Sequence, residues 1–235
     1  MFCMMTCTVF FLAGETVMSA QEEKAAIDVG ADLVSRYVWR GMNLSTSPAI
    51  QPYIEYTTGN FTLGSWGSYT FAQEPYQEVD LYMSYRFKYI TISLNDYFVP
   101  VDSLEITNDY FNWEKASTTH SLEASLTVSD IPNVPLSFTT GVFLYGNDLD
   151  EQGNNYYSTY FELGYDFAIG DNDVSSFVGI TPSEGMYSDG LNVVNLGVTV
   201  SREIALSDNY ALPLQGSFII NPDAENVFFV VGLSF

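Results

Sequence analysis

The charged side chains of this chain fall on alternate positions. Glu78 and Asp80 are followed by Tyr82, Ser84 and Arg86; Asp28 and Asp32 lead to Arg36 and Arg40; Glu123 precedes Ser125, and Glu162 precedes Asp166. Residues two apart share one face of a strand, so the rows gather acids and bases on a single surface. Rings of such side chains around a pore select ions; where nothing passes, they are pairs that neutralise one another. The set that this spacing assigns to pore electrostatics is Arg36, Arg40, Glu55, Glu78, Asp80, Arg86, Glu123 and Glu162, beside Asp28, Asp32 and Asp166. The aromatics Tyr53, Trp66, Tyr82, Tyr156, Tyr160 and Phe177 share that surface, with Trp66 and Tyr82 as candidate constriction residues. They either fill the volume of a tapered lumen or stack the rings of sugars or nucleosides. Stacking requires that they line one continuous track.

Catalysis finds little to work with. The chain has one histidine, His120, and an outer-rim esterase would need a serine on the same strand face, two residues on. Leu122 stands there and Ser121 points the other way, so His120 reads as an exposed rim histidine and no enzyme is expected. Asp148-Leu149-Asp150-Glu151-Gln152-Gly153 starts like a calcium loop, but the twelfth position is Thr159 where a bidentate Glu is needed. It reads as a solvated acidic loop, and neither metal nor cofactor is expected. Cys3 and Cys7, the only cysteines, precede the expected mature chain.

The elements that carry these rows are strands. Period-two alternation runs from Ile27 to about Arg40, then at 48–58, 60–72, 76–87, 89–98, 118–128, 135–145, 155–167, 173–181, 191–203, 209–220 and 225–235. No helical period or internal repeat interrupts it. Odd connections are mostly long and polar and even ones mostly tight, as in an outer-membrane barrel with both termini on the periplasmic side. The faces opposite the charged rows, such as Val79, Leu81, Met83, Tyr85 and Phe87, are nearly charge-free. Aromatics close many strands, including Tyr37 and Trp39, as interfacial girdles do. The expected fold is an all-β, transmembrane, antiparallel up-and-down β-barrel of about 12 strands; a periplasmic sandwich is the alternative.

A net charge of −22 excludes a partner that tracks nucleic-acid phosphates. The apolar stretch ending at Ser19-Ala20 reads as a signal peptide over 1–20, leaving a barrel over 21–235 in the outer membrane of a Gram-negative bacterium. The last strand, Val227 to Phe235, resembles the terminal signal read by the barrel assembly machinery. Outer-membrane lipid, lipopolysaccharide and small solutes are the other expected partners.

Asp32-Leu33-Val34-Ser35-Arg36-Tyr37-Val38-Trp39-Arg40-Gly41, Pro48-Ala49-Ile50-Gln51, Gly64-Ser65-Trp66-Gly67-Ser68 and Glu78-Val79-Asp80-Leu81 resemble the TorF-type porin family of Gram-negative bacteria over roughly residues 30–98. The departures are Ser-Arg-Tyr for the commoner Ser-Asp-Tyr and a divergent C-terminal half. The resemblance implies a porin-like role without naming a substrate. The functional expectation is a passive, cation-preferring channel for small solutes. The alternative is a closed structural or adhesive barrel that acts through the long 99–117 loop, which could equally fold inward as a plug.

Overall fold

The computed structural model describes residues 25–72, 76–100, 109–207 and 210–235. The expected signal peptide lies outside them. The described residues form no helix; twelve strands make a closed antiparallel barrel in sequence order: β1 (Ala26–Val34), β4 (Ala49–Thr58), β5 (Phe61–Thr70), β6 (Gln77–Phe87), β7 (Ile90–Phe98), β8 (His120–Val128), β9 (Leu136–Gly146), β10 (Thr159–Ile169), β11 (Asn172–Thr181), β12 (Asn192–Ser207), β13 (Tyr210–Asn221) and β14 (Asn226–Ser234). Closure is made by β1, which pairs with β4 along its whole length and with β14 through Asp32–Ser234, Leu33–Leu233 and Val34–Gly232. Phe235 continues that seam by exchanging backbone hydrogen bonds with Ala31 at 3.0 and 3.2 Å. A closed barrel leaves no sheet edge unpaired.

One rim carries the tight turns and both ends of the barrel; the other carries the long connections. Gly59, Lys88 and Gly170 take positive φ in the turns of the first rim, which suits the primed turns that match strand twist. The two wall faces differ as the alternation requires. Ile27, Leu63, Met83, Leu163 and Phe229 stand exposed on the outside, while Glu78, Asp80, Glu123 and Trp66 are buried within. Inside, bulky rings lie over glycines of the next strand: a Cβ at Gly30 would stand 2.7 Å from the Tyr53 ring, and one at Gly64 2.3 Å from that of Tyr82.

The first strand departs from the expected reading. It ends at Val34, and the chain then turns into the lumen as a separate two-stranded hairpin, β2 (Tyr37–Trp39) and β3 (Met42–Ser45). Tyr37 and Trp39 are therefore not girdle residues: they are 5 % and 7 % exposed and pack inside the barrel. A hairpin strand also alternates, so Arg36 and Arg40 continue the period of β1 after the chain has left the wall.

The hairpin turn is Arg40-Gly41, with φ of 47° and 77°. Both central residues of a primed turn need positive φ, and a Cβ at Gly41 would lie 1.9 Å from the Val194 carbonyl oxygen. That oxygen sits at a bulge, since Gly179 faces Asn195 and Ile180 faces Val193, leaving Val194 as the extra residue. Gly41→Ala is therefore expected to lower stability by about 2–3 kcal/mol, read as a lower urea midpoint of the refolded barrel; an unchanged midpoint would contradict this seating.

Candidate functional site

The site is the contact between the hairpin and the lumen wall. Tyr37 and Trp39 enter one aromatic cluster with Trp66 of β5, Tyr97 of β7, Phe143 of β9, Tyr160 of β10 and Tyr187 of the connection before β12. Ring centroids lie 5.6 Å apart for Tyr37–Trp66 and for Trp39–Tyr97, and 5.9 Å apart for Trp39–Tyr187. All three pairs are tilted, at separations favourable for aromatic pairs.

At the centre of the cluster is a buried ion pair. Arg40 and Glu123 side chains are each 1 % exposed, and the guanidinium grips the carboxylate through both terminal nitrogens at 2.5 and 3.1 Å. Arg40 also donates to the Tyr187 hydroxyl, and the Tyr97 hydroxyl donates to Glu123 at 2.8 Å. The guanidinium carbon stands 4.6 Å from the ring centres of both Trp39 and Tyr160, within cation–π range. Gly141 makes the arrangement sterically possible, because a Cβ there would be 2.3 Å from a Glu123 carboxylate oxygen. Beside it β9 carries a bulge with Leu144 as the extra residue, since Leu122 faces Tyr145 and Glu123 faces Phe143.

The remaining pore residues take several places. Glu78 and Asp80 are buried on the lumen face, where the Tyr76 hydroxyl donates to Glu78 at 3.1 Å. Neither makes a salt bridge among the described residues. Glu55 accepts from Tyr82 at 2.7 Å, and Glu162 accepts from Tyr160 and from Asn195. Arg36 belongs to the segment between β1 and the hairpin and lies over the Phe228 ring at 5.5 Å. Arg86 is not at the pore centre: at the turn rim it meets Asp130 at 2.7 Å, with both side chains about half exposed. Partial burial raises the Asp130 carboxyl, but hydrogen bonds from Arg86 and Ser129 hold it below its ordinary value.

The inward aromatics do not form one track. Tyr53 and Tyr82 lie over wall glycines, Tyr160 joins the hairpin cluster, and Tyr156 precedes its strand, in the loop before β10, where it donates to Glu184 at 3.4 Å. A sugar path built from all of them is absent.

His120 is the second correction, for it is fully buried and not an exposed rim residue. Asp96 and His120 alternate with Tyr97 and Ser121 and so belong to the outer side of the wall at the loop rim. The described part of the long connection, from residue 109, folds over them. Nδ1 lies 2.7 Å from Asp96, Nε2 lies 2.7 Å from the Tyr110 carbonyl oxygen, and the ring stacks on Trp113 at 3.9 Å. Slight burial and the nearby Asp96 carboxylate push the Tyr110 hydroxyl up. Both nitrogens of His120 thus face acceptor oxygens of a structural clasp. The plug is the first connection, while the described part of the 99–117 loop lies against the outer wall; residues 101–108 are outside the description.

The calcium-like loop is also folded on itself. Asp148, expected to be solvated, is buried and accepts from the Ser158 amide and hydroxyl at 2.9 and 2.5 Å. Asp150 caps the next turn, and the Asn154 amide holds its carboxyl below the ordinary range. No cluster of three metal-ligating side chains occurs among the described residues.

No protein-family model matches the chain, and no curated protein matches it.

Two outcomes follow from this geometry. Arg40→Met or Glu123→Gln alone leaves a buried charge without its partner and is expected to cost about 3–5 kcal/mol. The double substitution costs less than the sum of the two, as urea unfolding of the four proteins would show. At the outer wall, His120→Ala removes the clasp, so trypsin is expected to cut after Lys115 in the folded variant much faster than in wild type.

Proposed function

We propose that this chain is an outer-membrane, porin-like barrel for passive passage of small solutes, shut by its own first connection in the state described. The observation that carries this reading is the β2–β3 hairpin inside the lumen, held by one charge pair, Arg40–Glu123. A wall designed only to be solid would be filled by its own side chains; here a separable segment fills it.

The membrane setting draws support from the outer face. Leu63, Met83, Leu163 and Phe229 are 48, 46, 48 and 66 % exposed there, and a continuous apolar surface of that kind is stable against lipid and not against water. The turn rim then faces the periplasm, with the Phe235 seam available to the assembly machinery. The loop rim faces lipopolysaccharide. Once the hairpin moves, the wall presents Glu55, Glu78, Asp80 and Glu162, while Arg86 is occupied at the rim. Such a lumen favours cations.

The second reading is a permanently closed barrel with a structural or adhesive role, and the exposed Phe111 beside Trp113 on the loop side favours it. Conductance separates the two. Residues 21–235 refolded into a planar bilayer are expected to be closed for most of the time. Replacement of 37–45 by a Gly-Ser linker is expected to give steady, cation-selective steps, and Glu78→Gln with Asp80→Asn to bring the cation-to-anion permeability ratio toward one. A folded, hairpin-deleted barrel that stays silent would overturn the channel.

A further inference from the structure

The hairpin does not fill the lumen completely. Between it and the wall from β10 round to β5 there is a cavity of about 160 Å³, bounded by Arg36, Trp39, Trp66, Phe177, Asn195 and Gln215 among others. Three properties of this space point to one kind of occupant.

The first property is its hydrogen bonding. Leaving aside the Tyr37 hydroxyl, which faces Glu78, four buried side-chain atoms of residues that line it have no partner among the described residues: the donors Trp39 Nε1 and Arg40 Nε, and the acceptors Asn195 Oδ1 and Gln215 Oε1. Trp39, Arg40 and Asn195 are themselves 7, 4 and 6 % exposed. The Asn195 oxygen is defined by its other end, since Nδ2 donates to Tyr160 and Glu162, each at 2.9 Å. Buried polar atoms demand partners. A cation would satisfy only the acceptors and an anion only the donors. Water or hydroxyl groups, which both donate and accept, satisfy all four, and only the latter come on a ring that also meets the aromatic lining.

The second property is charge. In a chain of net charge −22, this lining is close to neutral: Arg40 is already paired with Glu123, and Arg36 stands with Asp32 and Glu162. The third is shape and size. Trp39, Trp66 and Phe177 contribute aromatic rings to the lining, and a dry cavity of about 150 Å³ is known to take a benzene-sized ring. The space therefore suits a solute of single-ring size.

We propose that this cavity is a binding site for a neutral, single-ring polyhydroxylated solute of monosaccharide size, held beneath the hairpin on its way through the barrel. The transit part of this statement rests on the conduit reading above; the binding part does not. Two of the chain's three tryptophans line the site, so it carries its own reporter.

The test uses residues 21–235 carrying Trp113→Phe, refolded in the presence of D-glucose so that access through the hairpin does not limit loading. A saturable change in tryptophan fluorescence is expected, with no matching change from glycine or sodium chloride. Gln215→Leu keeps the shape but removes an acceptor and is expected to weaken binding about tenfold; Ser217→Phe fills the cavity and is expected to abolish it. Should the Phe variant not fold, Gln215→Leu alone decides. Absence of a saturable signal, an equal response to glycine, or binding unchanged by Gln215→Leu would overturn the site. Sugar binding in a barrel whose hairpin-deleted form never conducts would overturn only the transit, and conduction without sugar binding only the site.

Discussion

A guanidinium inside a barrel must find a carboxylate, and much of the lumen is organised around that requirement. Arg40 sits at a positive-φ turn, a conformation that costs a non-glycine residue of order 1 kcal/mol, and it is taken out of water entirely. Burial of an unpaired charge is far more expensive. Glu123 answers it, with Tyr97 and Tyr187 supplying further hydrogen bonds. The wall is shaped to permit this: Gly141 leaves room for the carboxylate, and a bulge at Val194 receives the hairpin tip. A pair of this kind adds little net stability over an apolar contact. Its consequence is register, because only one position of the hairpin brings the two charges together.

That same constraint separates two populations of lumen charge. Arg40 and Glu123 are spent on each other at the plug, and Arg86 is spent on Asp130 at the rim. The carboxylates at Glu55, Glu78 and Glu162 are held by tyrosine and asparagine donors and not by bases, and Asp80 makes no salt bridge among the described residues. The wall around the neutralised hairpin is thus acidic.

Much of the wall was legible in the chain. Alternation alone located the twelve wall strands, separated the Leu81–Met83–Tyr85 face from the Glu78–Asp80–Tyr82 face, and connection lengths distinguished the rims. The end of β1 was not legible, for Arg36-Tyr37-Val38-Trp39-Arg40 keeps the period of the preceding strand while belonging to a different sheet. The local clue was Gly41 after Arg40, a turn signal inside an apparent strand end. Placement of Arg40 and Glu123 on one surface was readable from parity; their contact, 83 positions apart, was not. His120 was misread because its burial comes from Tyr110 and Trp113, which alternation in a wall strand cannot place.

The central claim is that residues 37–45 are a packed part of the barrel interior. Backbone hydrogen exchange of the folded protein in lipid, read by mass spectrometry over this segment, tests it most directly. The account predicts exchange as slow as that of β8 and β9, the strands that carry Glu123 and Phe143. Exchange as fast as that of the 147–158 connection at the loop rim would contradict it.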